Sequence, residues 1–164
     1  MTTPATIRLA GPEDAATVLA LIQELAEYEK LAHEVVATVD SIRDTLFAAD
    51  GCSTALLAEC DGAAVGFAVY FRTYSTFLGR EGIYLEDVYV QPAARGQGIG
   101  KQLLAAAAAA ANRLGGRLEW SVLDWNQPSI DFYESLGAVQ HSEWLKYRIT
   151  GEPLAELAKR SAGR

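Results

Sequence analysis

The residue types best suited to chemistry lie within residues 82–104, GIYLEDVYVQPAARGQGIGKQLL. Glu86 and Asp87 stand side by side in a segment otherwise built from Ile83, Tyr84, Leu85, Val88, Tyr89 and Val90, the composition of a strand that stops at Pro92. A carboxylate inside an apolar strand is costly unless it is partnered or useful. Alternation along a strand sends the two to opposite faces, Glu86 with Tyr84 and Val88, Asp87 with Leu85 and Tyr89. Directly after the strand come Arg95, Gly96, Gln97, Gly98, Ile99, Gly100 and Lys101. Glycines let successive backbone N–H groups turn towards one point, and a helix starting there directs its positive dipole end to the same place. Arg95 and Lys101 add formal charge, so the cradle suits a phosphate or pyrophosphate.

Spacing excludes two common phosphate motifs. A P-loop requires glycine five residues before its Gly-Lys pair and Ser or Thr after it, where this chain has Arg95 and Gln102. A dinucleotide fingerprint opening at Gly96 or Gly98 requires a third glycine at Lys101 or Leu103. The pattern present is R-x-x-G-x-G, on Arg95, Gly98 and Gly100; without a ligand it would be a plain glycine-rich turn from strand to helix. A second cluster, Glu27, Tyr28, Glu29 and Lys30, closes a helical pattern, either as a solvated helix end or as an acidic, aromatic edge facing a cleft.

The rest of the composition narrows the choice. The 164 residues suit one domain, with half of them hydrophobic. Asp and Glu number 21 against 14 Lys and Arg, a net charge of −7, which argues against nonspecific nucleic-acid binding and suits a cationic substrate. Cys52 and Cys60 have no metal spacing, and His33 and His141 are isolated, so neither a metal site nor a Cys-His nucleophile is expected. No signal pattern or membrane-length apolar run is visible, and a cytoplasmic location is expected.

The elements that must position these residues follow from periodicity. A short strand at 6–9 leads to a helix over about 12–30, with Val18, Leu21, Ile22 and Leu25 on one face. A second helix opens on Thr38 as N-cap. Strands at 53–60 and 65–70 flank Asp61-Gly62, a two-residue hairpin signal. Residues 72–80 read as a loop, and the alanine run 105–111 as a helix lying close on a sheet and ended by Gly115-Gly116. A strand over 117–123 precedes a helix that begins near Pro128 and stops at Gly137. Residues 139–141 and 145–149 read as an antiparallel pair, and 153–164 as a short tail, helical or frayed. The sum is a three-layer α/β (α+β) single domain over 1–164, with a mixed, mostly antiparallel sheet between helices.

The stretch LDWNQPSIDFYESLGA, together with IYLEDVYV, RGQGIG and LIQELAEYEK, resembles the GNAT N-acetyltransferases, and among them the diamine branch of spermidine/spermine and thialysine acetyltransferases. The resemblance implies the GNAT acyl-CoA N-acyltransferase fold, a homodimer, and direct transfer of acetyl from acetyl-CoA to the primary amine of a small cationic acceptor. It puts the general base on Glu86, with Asp87 as the other candidate, and the general acid on Tyr133. It assigns the carbonyl and pantetheine contacts to Val88, Tyr89 and Val90, and the pyrophosphate to the loop from Arg95 to Lys101. Asn126, Pro128 and Tyr133 would line the cofactor. Tyr28, Glu29, Glu86, Asp87, Glu119 and Asp124 would meet the amine. Glu119 departs from the polyamine-specific members, and L-D-W-N-Q leans towards the thialysine type. Two other readings share the fold: transfer to a protein amino terminus or lysine, and an acetyl-CoA sensor without catalysis.

Overall fold

A computed structural model describes residues 5–161 of the chain. These fall into two compact units, divided between Leu123 and Asp124. The first holds one five-stranded sheet in the order of the chain. Strand β1 (Thr6–Leu9) pairs antiparallel with β2 (Ser53–Cys60), β2 with β3 (Ala63–Ser75), and β3 with β4 (Arg80–Val90), whereas β5 (Leu118–Trp120) joins β4 in parallel. The sheet is mixed and mostly antiparallel, as the sequence predicts.

Helices α1 (Ala15–Tyr28) and α2 (Val39–Leu46) lie on one face and α3 (Ile99–Leu114) on the other. The α1 stripe of Val18, Leu21 and Leu25 packs on Ala55, Leu57, Phe67, Val69 and Tyr89. On the far face Ala110 and Ala111 meet Ile83, and small side chains let the helix axis approach the sheet closely. Thr38 caps α2 as expected, its hydroxyl accepting from the Ser41 amide at 3.1 Å. Asp61 and Gly62 take φ of 49° and 80°, the left-handed pair that a two-residue hairpin demands.

Three segments differ from the sequence reading. Residues 72–80 are not a loop: β3 runs to Ser75 and β4 starts at Arg80, so only a four-residue turn remains. Tyr74 and Phe77 are exposed there, and polar, turn-rich composition hid a ladder that backbone pairing and the Arg72–Glu81 ion pair at 3.5 Å join across the strands. Strand β5 is shorter than 117–123, pairing only over Leu118–Trp120. Residues 139–149 form no strand; Val139, Leu145 and Tyr147 are 78%, 76% and 88% exposed. Their alternation suits a half-buried pleat, but a strand exists only where an edge receives it.

The second unit comprises α4 (Gln127–Ser135), with Pro128 in its first turn and Gly137 at φ 87° beyond its end, and α5 (Gly151–Lys159), the helical form of the tail.

One polar knot fastens the start of the chain. Arg8 on β1 donates through Nη1 and Nη2 to the two oxygens of Asp14 at 2.7 and 2.8 Å, and through Nε to Glu59 on β2 at 2.9 Å. The Gly11 amide also donates to Asp14, at 2.9 Å. The bidentate pair with Arg8 holds the buried Asp14 carboxyl below the usual carboxylate range, despite burial acting the other way. Stability from a depressed carboxyl is present above its unfolded value and lost as pH falls through the folded one. We therefore expect Asp14→Asn to cost roughly 1–3 kcal/mol at pH 7 by urea unfolding. The difference from wild type should shrink below pH 4, as the native carboxyl also becomes protonated.

Candidate active site

The bottom of the site is an irregularity in β4. Val69 pairs with Asp87, but the next residue of β3, Tyr70, pairs with Leu85, so Glu86 is an extra residue without a cross-strand partner. A bulge of this kind sets two residues against one and breaks the alternation of faces. Tyr84 opposes Phe71, Asp87 opposes Val69 and Tyr89 opposes Phe67, so all three share the face that α1 covers. The expected grouping is therefore changed in part: Asp87 lies with Tyr89 as alternation predicts, but with Tyr84 rather than Leu85.

The consequence is electrostatic. Asp87 is pushed up to about 6, first by burial, then by the neighbouring charges of Glu86 and of Glu29 at the end of α1. Burial also raises Glu29. Glu86 itself is exposed. Three carboxylates that repel one another gather at the bulge, next to Tyr28. Such a group favours a bound cation, which relieves the repulsion and restores the charged form of Asp87.

On its other side β4 loses its neighbour. The parallel pairing with β5 covers Ile83, Leu85 and the residue between them, opposite Leu118–Trp120, and goes no further. Among the described residues, Asp87 to Val90 have a ladder only with β3, so the β5-side backbone groups of Val88, Tyr89 and Val90 stand outside the sheet ladder and suit an extended ligand.

At the C-terminal end of β4 the chain turns through Pro92–Ala94 into the glycine loop and α3. Gly96 and Gly98 have φ of 76° and 79°, and no atom lies within 4 Å of where a Cβ would stand. Gly98 is the N-cap of α3 and offers no side chain to it, so the first-turn amides of Ile99, Gly100 and Lys101 keep their donors for an outside acceptor. Ile99 is buried and anchors the turn, while Gln97 and Lys101 are exposed. These features fit a phosphate-bearing ligand. Arg95 is not extended towards that space: its Nε donates to the Val90 carbonyl at 2.9 Å, and its guanidinium covers the Tyr28 and Tyr89 rings.

The remaining predicted residues lie on β5 and in the second unit. Glu119 stands opposite Tyr84 on β5, its carboxylate 3.7 Å from Arg117 Nε. Within the second unit Asn126 is buried at the start of α4, Pro128 and Asp124 are exposed, and Tyr133 is half-buried with its ring 5.5 Å from that of Phe132. Sequence reasoning missed Glu24, which accepts from the Tyr89 hydroxyl at 3.3 Å and from the Gln91 side-chain amide at 3.0 and 3.2 Å. Its only signal was position, one helical turn before Tyr28 on α1.

Comparison with known proteins identifies the family and the fold. The acetyltransferase (GNAT) family model matches residues 19–138. The chain is 38% identical to the thialysine N-epsilon-acetyltransferase of Mus musculus, over 94% of this chain and 97% of that one. It is 32% identical to the L-ornithine N5-acetyltransferase of Arabidopsis thaliana, over 93% and 87%. An integron cassette protein of V. cholerae shares the fold, with a TM-score of 0.80 and 25% identity over 96% of this chain and 99% of that one. The matched family segment takes in the bulged strand, the glycine loop and α4, and the chain belongs to the acetyltransferase (GNAT) family.

Proposed function

We propose that the protein transfers acetyl from acetyl-CoA to the primary amine of a small cationic acceptor of the thialysine, ornithine or diamine class. The observation that carries this is the gathering of Glu29, Glu86 and Asp87 at the β4 bulge. Relatives named for thialysine and ornithine support the acceptor class. We read the whole chain as one catalytic domain, acting as a cytoplasmic homodimer.

Acetyl-CoA supplies a thioester carbonyl. The amides of the first turn of α3 and of the glycine loop would hold its phosphates, and the free edge of β4 at Val88, Tyr89 and Val90 would hold its arm and polarise the carbonyl oxygen. Asn126 and Pro128 would border the same ligand. An alkylamine has a pKa near 10.4 and arrives as ammonium. Asp87, Glu29 and Tyr28 would bind that cation, and the family resemblance adds Glu119 and Asp124 as further candidates. Glu86, exposed at the bulge, would take the ammonium proton directly or through water, leaving the nitrogen lone pair free to attack. The Tyr133 hydroxyl would give its proton to the departing sulfur. Both cysteines are free, neither is bonded to a histidine among the described residues, and the reading is of direct transfer without an acetyl-enzyme.

Thiol release with acetyl-CoA tests this against thialysine, ornithine, putrescine, spermidine, lysine and a short basic peptide. Turnover should concentrate on the small amines; turnover confined to the peptide would overturn the acceptor class. Glu86→Gln should lower kcat/KM on the best amine by about 10²- to 10⁴-fold, and Tyr133→Phe should lower kcat within the same range. Either variant at wild-type rates across pH would remove that residue from the mechanism.

Asp87 gives a pH prediction with opposite signs for stability and function. Its carboxyl is raised from 3.8 to about 6, so between those values the folded chain holds the extra proton and stability falls as pH rises. Asp87→Asn should therefore raise Tm at pH 7.5, where wild type carries the full burden of the buried charge. The same variant should raise KM for the amine and abolish the rise of kcat/KM through pH 6 that ionisation of Asp87 produces.

A further inference from the structure

Gly96 and Gly98 leave the phosphate loop without side-chain walls, and a chain so free loses much entropy when a ligand orders it. Something must hold its first residue. Arg95 is that residue, and three contacts fix it: the 2.9 Å bond from Nε to the Val90 carbonyl, the Tyr28 ring at 4.9 Å from the guanidinium carbon, and the Tyr89 ring at 5.6 Å. Tyr89 is in turn held by Glu24, whose carboxylate accepts from its hydroxyl and from Gln91 just beyond β4. Two residues of α1, Glu24 and Tyr28, thus grip the strand end and the arginine that opens the loop. Glu29, next to Tyr28, belongs to the carboxylate group at the bulge.

We propose that Tyr28 is a positioning residue for the acetyl-CoA loop, acting through Arg95, and that this stack couples the cofactor loop to the amine-binding end of α1. An amine cation drawn to Glu29 and Asp87 steadies the end of α1, which steadies Arg95, and the loop meets phosphate at a smaller entropic cost. The linkage is reciprocal, so acetyl-CoA strengthens amine binding by the same factor. Charge from Arg95 reaches the phosphates only at second hand; its planar, always-protonated head serves as the tether, a role for which lysine is a poor substitute.

The inference rests on the acetyltransferase reading, and calorimetry with free CoA, which cannot be turned over, separates the two. Tyr28→Ala should weaken CoA binding about three- to tenfold, the range of a partly exposed cation–π contact, while Tyr28→Phe keeps wild-type affinity because the ring remains. In an Arg95→Ala background, Tyr28→Ala should have no further effect, which a general loss of packing would not produce. A saturating diamine should tighten CoA binding to wild type, and this gain should vanish in Tyr28→Ala. Unchanged CoA affinity in Tyr28→Ala, or equal weakening with and without Arg95, overturns the coupling and leaves the acetyltransferase reading intact. A wild-type chain that binds no CoA overturns both. Tyr28→Leu, which preserves bulk against the helix, replaces the alanine variant if that one unfolds.

Discussion

One extra residue in β4 governs much of what this molecule can do. Without the bulge at Glu86, strict alternation would carry Asp87 to the α3 face with Leu85, into the apolar layer of Ile83, Ala110 and Ala111. With it, Asp87 turns to the α1 side, where the end of the helix brings Glu29. The bulge also marks where β4 and β5 part company, since the parallel pairing ends at Leu85. Bulges add local twist, which works against continuing a flat pairing past that point. A single insertion thus supplies both an anionic group and an open backbone edge.

Such a group opposes folding, because its like charges repel and Asp87 loses water in joining it. What sustains it is the order of the surrounding layers. Val69, opposite Asp87, and Phe67, opposite Tyr89, are buried against Val18, Leu21 and Leu25, so β3 and α1 hold β4 in place on that face. Closely packed alanines of α3 do the same on the other. The unfavourable charge thus lies within a few residues of buried Phe67, Val69 and Leu85, in a part of the sheet packed on both faces. A cation in the pocket would relieve that charge and so stabilise the fold that binds it.

The sequence showed the glycine loop, the Thr38 cap and the Asp61-Gly62 hairpin, because each depends on backbone chemistry that a few adjacent residues determine. It also showed the three layers, through the stripe of α1 and the alanines of α3. It did not show the bulge. Which of Leu85, Glu86 and Asp87 drops out of register depends on β3, on the far side of a turn, and period-two reasoning assumes that no residue does. The same limit explains the turn mistaken for a nine-residue loop and the strands expected over 139–149: pairing is a property of two edges, and the pattern of one segment describes only half of it. Glu24 escaped notice for a related reason, since its partners Tyr89 and Gln91 lie more than sixty residues away.

Arg95 illustrates how charge and position separate. By residue type it belongs to the phosphate, yet the loop already has donors from Gly98 onward, aligned with the axis of α3 and needing no side chain. What such a loop lacks is an anchor. A guanidinium can bond a carbonyl with one edge and lie over aromatic rings with its face, as Arg95 does with Val90, Tyr28 and Tyr89. The amides bind and the arginine aims them. A site divided in this way tolerates little slack at its anchor, which is why the Tyr28 ring beneath Arg95 matters to the cofactor loop.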